Sequence, residues 1–263
     1  MFIASDSHYH IGKTHLTCQD YACNGFEPLP FVIVADGCSS SPHSDIGARL
    51  LALTARQLIT EFSYDDYWGI GHRLTALSAQ HIKTLGLAPS ALDATLIVAL
   101  QYDKRIRVYL YGDGCLICQY PDGGIRIIHI EYEHSAPYYL SYLEDAPRRE
   151  RYLQANPAKI VHTLDATDTV SEIHYIDTPA IFEFSLDEIS ILGVASDGLN
   201  SFAAATAGYD CAVHSIAGEL LAFKNIRGDF VKRRLRRAMA SFARQGIYNH
   251  DDIALGVFAK IAP

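Results

Sequence analysis

Apolar, strand-like runs that end in aspartate recur along this chain, and they constrain its fold more than any other feature. Phe31-Val32-Ile33-Val34-Ala35 reads as a short strand buried on both faces, and it stops at Asp36-Gly37. Ile189 to Ser196 runs into Asp197-Gly198, and Ile106 to Tyr111 runs into Gly112-Asp113-Gly114. Asp251 and Asp252 stand just before the apolar run Ile253 to Phe258, and Asp20 precedes the turn that leads to the first of these strands. A lone Asp-Gly usually just opens a loop. Carboxylates delivered by five separated places would repel each other on convergence, so convergence implies a metal counter-ion. A carboxylate fixed at a strand rim, with the next peptide carbonyl beside it, suits a hard cation that takes oxygen ligands.

The segments between these points read as follows. Ile46, Leu50, Leu53 and Ile59 predict an amphipathic helix from about Ser44 to Phe62, and a second helix fills Tyr67 to Leu85 with Gly86 as its stop. From Ala94 the chain reads as strands Thr95–Tyr102, Arg105–Tyr111, Cys115–Tyr120 and Ile125–Ile130 with tight turns, an antiparallel meander. A doubly wound parallel sheet, which needs a helix between strands, is excluded. Residues 131–185 are irregular and rich in Tyr, Pro, His and acidic groups, with one helix around Arg148 to Gln154; they read as a flap-like insertion beside the site. Two helices follow, around Cys211 to Phe223 and from an Asp229 cap to about Arg244, with Gly246 as the stop. The second carries Lys232, Arg233, Arg234, Arg236 and Arg237 opposite Phe230, Leu235, Met239 and Phe242. That is a solvated face over a buried stripe, with a docking surface for an acidic partner as the alternative.

With 263 residues, 49% of them hydrophobic, the chain can bury a substantial core as one domain over 1–263. A net charge of −8 argues against a general nucleic-acid binder. No apolar run is long enough for a membrane span and the amino terminus lacks a signal-peptide pattern, so a cytoplasmic, non-membrane enzyme is expected. The six cysteines are expected to be reduced. Cys115 and Cys118 lie three apart in a strand and point to opposite faces, which disfavours zinc. His8 and His10 read as ordinary polar strand residues.

Taken in order, Gln19-Asp20, Ala35-Asp36-Gly37, Gly112-Asp113-Gly114, Ser196-Asp197-Gly198 and Asp251-Asp252-Ile253-Ala254 resemble the metal-dependent serine/threonine protein phosphatases of type 2C. The string from Ala35 to Arg49 is similar to the compact bacterial branch of that family. The resemblance implies an α+β fold, a four-layer α-β-β-α sandwich of two antiparallel sheets flanked by helices. It implies a centre of two Mn²⁺ or Mg²⁺ ions, with a possible third. By the same carry-over, Asp36 bridges both ions and the Gly37 carbonyl binds one. Asp197 and Asp251 hold the other, with Asp252 counted among the metal-binding residues beside them, Asp20 binds directly or through water, and Asp113 sits at the edge or binds the third ion. Two hard cations sharing a carboxylate make hydroxide available near neutral pH for in-line attack on phosphorus, with no covalent intermediate. The expected partner is a phosphorylated protein.

This chain departs from the family at three places. Gln19 stands where many members have Glu. His15 stands where many have a phosphate-contacting arginine, with a shorter reach and a pH-dependent charge. Cys38 replaces a histidine proposed as general acid, and His43 is the candidate substitute. Two other readings stay open: a pseudophosphatase that serves as a binding or regulatory module, and a hydrolase of small phosphate esters.

Overall fold

The computed structural model describes residues 3–204 and 211–261; the outermost residues of the expected 1–263 domain and residues 205–210 lie outside it. Strand β3 (Phe31–Gly37) shows how the layers arise. Phe31, Ile33 and Ala35 enter one apolar cluster, while Val32 and Val34 enter another on the opposite face. Both faces are covered, so the strand carries no polar alternation and reads as a continuous apolar run.

Strand β3 lies in a five-stranded antiparallel sheet with β2 (Asp20–Gly25), β4 (Ala94–Tyr102), β5 (Arg105–Tyr111) and β10 (Ala180–Ser185), in the order β10-β5-β4-β3-β2. The other strands of the sandwich are β1 (Ile3–His10), β6 (Gly114–Gln119), β7 (Ile125–Tyr132), β8 (Lys159–Leu164), β9 (Thr169–His174), β11 (Ile191–Ala195) and β14 (Ile253–Lys260). They form a seven-stranded antiparallel sheet in the order β1-β14-β11-β6-β7-β8-β9. Strands β12 (Phe202–Ala204) and β13 (Ile247–Asn249) make a separate ribbon.

Val32, Val34, Ile97 and Leu110 of the five-stranded sheet meet Leu116, Leu192, Val194 and Phe258 of the seven-stranded one, forming the core between the sheets. Helices α1 (Ser44–Gln57) and α2 (Tyr67–Thr84) pack Leu51, Ala52, Ile70 and Leu74 against the outer face of the first sheet. Helices α4 (Val213–Leu221) and α5 (Phe230–Arg244) pack Leu220, Phe230, Leu235 and Phe242 against the outer face of the second. Each such large apolar side chain contributes about 1.5–3 kcal/mol by leaving water. The result is the α-β-β-α sandwich that the resemblance implies. Cys115 and Cys118 enter different clusters, as strand alternation requires, and both are free thiols.

Four local expectations need correction. The run from Ala94 to Ile130 is not one meander: β4 and β5 pair in one sheet, β6 and β7 in the other, and the chain crosses between sheets after Tyr111. The first helix ends at Gln57, where the Leu58 N–H is shared between the Thr54 and Ala55 carbonyls and the backbone tightens into a 3₁₀ turn at Ile59–Glu61. Asp229 precedes α5 without capping it through its side chain. The Asp6 carboxylate of β1 accepts from the Val231 N–H at 2.6 Å instead. Finally, residues 131–185 are not all loop. They include helix α3 (Ala146–Ala155) and strands β8, β9 and β10, which extend both sheets. The stretch that leaves the sheets is 133–158.

Lys159 of β8 is buried, and its ammonium donates to the Thr178 carbonyl. Burial pushes its pKa down to about 8. The unfolded chain, with a lysine pKa of about 10.4, then binds more protons between those values, so stability should rise with pH across that window. Lys159→Met is expected to flatten the rise and to add on the order of 1 kcal/mol at pH 7, the lost hydrogen bond offsetting part of the gain. Urea denaturation at pH 7 and pH 10 reads this, and an unchanged pH slope would clear Lys159 as its source.

Candidate metal centre

The alternation that turns Val32 and Val34 between the sheets carries Asp36 to the same side, at the rim. Asp20 is the register partner of Asp36 across β2 and β3. In β11 and β14 the same parity takes Val194 on to Ser196 and Ala254 back to Asp252. Both sheets therefore deliver polar side chains to one end of the inter-sheet space. There a cleft of about 240 Å³ is lined by four carboxylates, Asp36, Asp113, Asp197 and Asp251, together with Gly37, the Cys38-Ser39-Ser40 loop, Thr95, Ser135, Pro137 and Tyr139.

Asp113 reaches the cleft on the crossing between β5 and β6, set between Gly112 at φ 93° and Gly114 at φ 135°. Side chains there would be strained by the backbone and would also meet Thr95 at 2.7 Å and Ile97 at 2.8 Å, so both glycines are needed for the crossing. Gly37 is needed for a different reason. A Cβ at that position would stand 2.6 Å from the Ser44 carbonyl, so the first turn of α1 can approach the end of β3 only because no side chain is present.

The carboxylates sit uneasily together. Burial raises the pKa of Asp36 well above the ordinary carboxylate value, and the charges of Asp20, Asp197 and Asp113 raise it further. Burial and then Asp197 do the same to Asp113 and, to a lesser extent, to Asp251. No Lys or Arg is among the described residues lining the cleft. Among the described residues, no group of three or more His, Cys, Asp or Glu side chains is by itself arranged to hold a metal ion. The donor set still fits a hard cation whose shell is completed by the Gly37 carbonyl and by water, as Mg²⁺ commonly has it, because every lining donor near the carboxylates is oxygen except Cys38.

The family model for protein phosphatase 2C matches residues 6–170, more than half of the chain. The chain belongs to the protein phosphatase 2C family. It is a protein serine/threonine phosphatase by that membership, and the match takes in Asp20, Asp36 and Asp113. The fold is similar to that of the serine/threonine phosphatase Stp1 from Staphylococcus aureus, at 10% identity and a TM-score of 0.59 over 100% of this chain and 96% of that one. It is similar to PppA from Pseudomonas aeruginosa, at 17% identity and 0.58 over 99% of each chain. It also resembles the catalytic domain of the serine threonine protein phosphatase PstP in complex with two manganese ions, at 13% identity and 0.53 over 99% of each. Among curated proteins, none matches the sequence significantly.

Several residues singled out from the sequence of this phosphatase lie off the cleft. Asp252 is 2% exposed, and its two oxygens accept from the Gly12 N–H at 2.7 Å and the Gln19 N–H at 2.6 Å. Those bonds tie the Gly12–Gln19 loop to the start of β14. Asp20 is equally buried and accepts from the Ser196 hydroxyl at 2.7 Å, so it sits beneath Asp36 and not on the cleft wall. His15 stands 3.4 Å from Asp251 and 3.1 Å from Asp252, so its ring backs these carboxylates and does not line the cleft where a phosphate would lie. His43 is exposed on left-handed backbone ahead of α1 (φ 64°) and is outside the cleft, which removes it as proton donor. Gln19 donates its amide to the Ser44 hydroxyl at 2.7 Å and the Cys38 carbonyl at 3.4 Å; a glutamate could make no such bond to the carbonyl.

Sequence reasoning missed Asp93. This 3% exposed carboxylate accepts from the Ser41 hydroxyl at 2.7 Å, the Ser141 hydroxyl at 2.5 Å and the Arg148 guanidinium at 2.7 Å. It thereby joins the cleft loop to the 3₁₀ turn Leu140–Glu144 and to α3. Its three side-chain partners lie 48 to 55 positions away, and no local pattern announces it. Tyr139, Ser135 and Thr95 were also missed, although the aromatic content of 131–185 marked that segment as more than a connector.

Two outcomes follow. Because raised carboxylate pKa values mean more bound protons in the folded state, the metal-free protein should lose stability as pH rises from the unfolded value of about 3.9 through the folded ones. Asp36→Asn should raise the metal-free thermal midpoint at pH 8 and abolish the further rise given by Mn²⁺; an undiminished Mn²⁺ response would remove Asp36 from the ligand set. Asp93→Ala should cost about 2–4 kcal/mol in urea denaturation, since it strands a guanidinium and two hydroxyls. A loss below about 0.5 kcal/mol would mean that the tie contributes nothing.

Proposed function

We propose that the cleft hydrolyses phosphomonoesters, removing phosphate from phosphoserine and phosphothreonine of protein substrates by in-line attack of water and without a covalent phosphoenzyme. The observation that carries this reading is the convergence of Asp36, Asp113, Asp197 and Asp251 from both sheets on one oxygen-lined cleft. In this reading Asp36, the Gly37 carbonyl, Asp197 and Asp251 would hold the divalent ions, and Asp113 would stand at the edge of the same set. Mn²⁺ or Mg²⁺ bound there supplies Lewis acidity and a more acidic water.

The chain's own residues supply the rest. With no Lys or Arg on the cleft wall, the phosphoryl oxygens find only neutral donors there: the hydroxyls of Ser39, Ser40, Thr95, Ser135 and Tyr139. The loop that bears the first two is held by Asp93 from below, as a preorganised donor set must be. Pro137 and Tyr139 overhang the same cleft from the flap-like segment, where they narrow access to a protruding side chain. Cys38 has no nucleophilic role here. Burial raises its thiol, hydrogen bonds from Ser40, Tyr139 and Ser41 outweigh that and leave the pKa lowered, but no arginine closes a phosphate loop around it. With His43 outside the cleft, the leaving alkoxide takes its proton from water.

A second reading, a binding module without turnover, is favoured by one observation: Gln19 spends its amide on the loop, and a metal-shell carboxylate is thereby absent from that position. No helix of the described residues is long and apolar enough to cross a membrane.

Hydrolysis of p-nitrophenyl phosphate and of a phosphothreonine peptide, with Mn²⁺, with Mg²⁺ and with chelator, tests the two. Metal-dependent release, lost by a factor of about 10² or more in Asp197→Ala, is expected. Equal inertness of wild type and variant, with no Mn²⁺ binding by calorimetry, would leave the binding module standing and sink the enzyme.

A further inference from the structure

The α5 layer carries a second concave site that the phosphatase chemistry does not use. A groove of about 740 Å³ lies over the α4–α5 connection, lined by Lys224, Arg227, Arg233, Arg234 and Arg237 above the aromatic pair Phe223 and Phe230. Its volume is in the range of about 300–1,000 Å³ usual for ligand clefts. The two rings meet edge to face at 5.0 Å and give the groove an apolar floor.

A solvated helix face accounts for only part of this arrangement. Arg233, Arg234 and Arg237 follow helical spacing and share one side of α5, where like charges one turn apart repel. Lys224 and Arg227 come from the connecting loop, which no helical period reaches, and they line the same groove. Arg234 is matched by Glu219 at 2.5 Å. Arg233 donates to the Arg227 carbonyl at 2.6 Å, which fixes its position without neutralising it. Among the described residues, no carboxylate lies within 4.0 Å of the charged groups of Lys224, Arg227, Arg233 or Arg237. Four cations thus stand unmatched on one groove of a chain whose net charge is −8.

We propose that this groove docks a carboxylate-rich segment of a protein partner, with guanidinium forks taking Asp or Glu side chains and the Phe223 face taking the peptide's apolar surface. Charge complementarity carries the assignment. The cations come from both a loop and a helical turn and line a groove of about 740 Å³ floored by aromatic rings, which offers a side-chain-bearing segment more contact than a single small anion could make. The strongly acidic remainder of the molecule repels an extended nucleic acid, whose binding needs a long basic track. The docking site is separate from the aspartate cleft and stands or falls independently of it.

The test uses the full chain and a fluorescein-labelled Glu-Gly repeat peptide, read by fluorescence anisotropy at physiological salt. Saturable binding is expected, absent for the Gln-Gly counterpart and weakened roughly tenfold in the double variant Arg227→Gln/Arg237→Gln. Lys224→Gln, which leaves α5 untouched, should weaken binding in the same direction. Arg236→Gln, on α5 but outside the groove, should not, and p-nitrophenyl phosphate hydrolysis should be the same in all. Equal binding of the Gln-Gly peptide, indifference to the groove variants, or tighter binding of an oligothymidylate of matched charge would each overturn the proposal.

Discussion

Mutual repulsion among carboxylates at one rim of a β-sandwich is the constraint around which this molecule is built. Asp36, Asp113, Asp197 and Asp251 repel one another, and burial together with the neighbouring charges drives the pKa of Asp36 upward. They stay together because each hangs from an element that cannot move. Asp36 ends a strand buried on both faces, Asp197 follows β11 in the interior of the larger sheet, and Asp251 lies beside Asp252, which is bonded to both ends of the Gly12–Gln19 loop. Three apolar clusters hold the four layers, and the unfavourable electrostatics are concentrated at one end. Strain of this kind is usual where binding a cation is the point of the site.

Not every aspartate in the motifs has the same task, and hydrogen bonding separates them. Asp251 and Asp252 are adjacent, yet Asp251 lines the cleft while Asp252 is buried beside it. Asp252 accepts two backbone N–H groups, and His15 lies against both carboxylates, so this pair fixes the Gly12–Gln19 loop against the start of β14. Ser196 does similar work from β11: its hydroxyl donates to Asp20 and accepts from the Ala254 N–H at 2.9 Å, tying three strands across the two sheets beneath Asp36. Asp20 and Asp252 spend their oxygens on donors within the fold, whereas Asp251 also faces the cleft. That distinction depends on three-dimensional neighbours, which is why Asp20, Asp252 and Asp251 look equivalent in the sequence.

The continuous apolar run of β3 and the apolar runs before Asp197 and after Asp252 are local properties, and the strands, the helix pairs and the aspartate convergence were legible from them. The crossing at Gly112-Asp113-Gly114 was not. A glycine turn between two apolar strands looks the same whether the strands pair or pass to facing sheets, and only the partners of β6 in β11 and β7 decide it. His43 was misjudged because sequence proximity to Asp36 says nothing about direction, and the backbone turns to φ 64° at that residue. The α5 cap was misassigned for a related reason: Asp229 has the right position for a cap, but Asp6, 225 residues earlier, occupies the N–H.

The segment 131–185 shows how an irregular stretch can still place side chains accurately. Its ends are paired strands, β7 with β8 in the larger sheet and β10 on the edge of the smaller one, so the excursion between them starts and finishes on rigid supports. Within it, His134 and Ser135 both adopt left-handed backbone, at φ 59° and 50°, each an unfavourable conformation for a residue with a side chain. Tyr138, Tyr142 and Tyr152 pack edge to face or tilted against one another, and Arg148 lies 4.8 Å from the Tyr142 ring centre while its guanidinium holds Asp93. Asp93 in turn holds Ser41 of the opposite loop. One buried carboxylate thus joins the loop from Cys38 to Ser41 to the turn Leu140–Glu144, which follows directly on Ser135 to Tyr139.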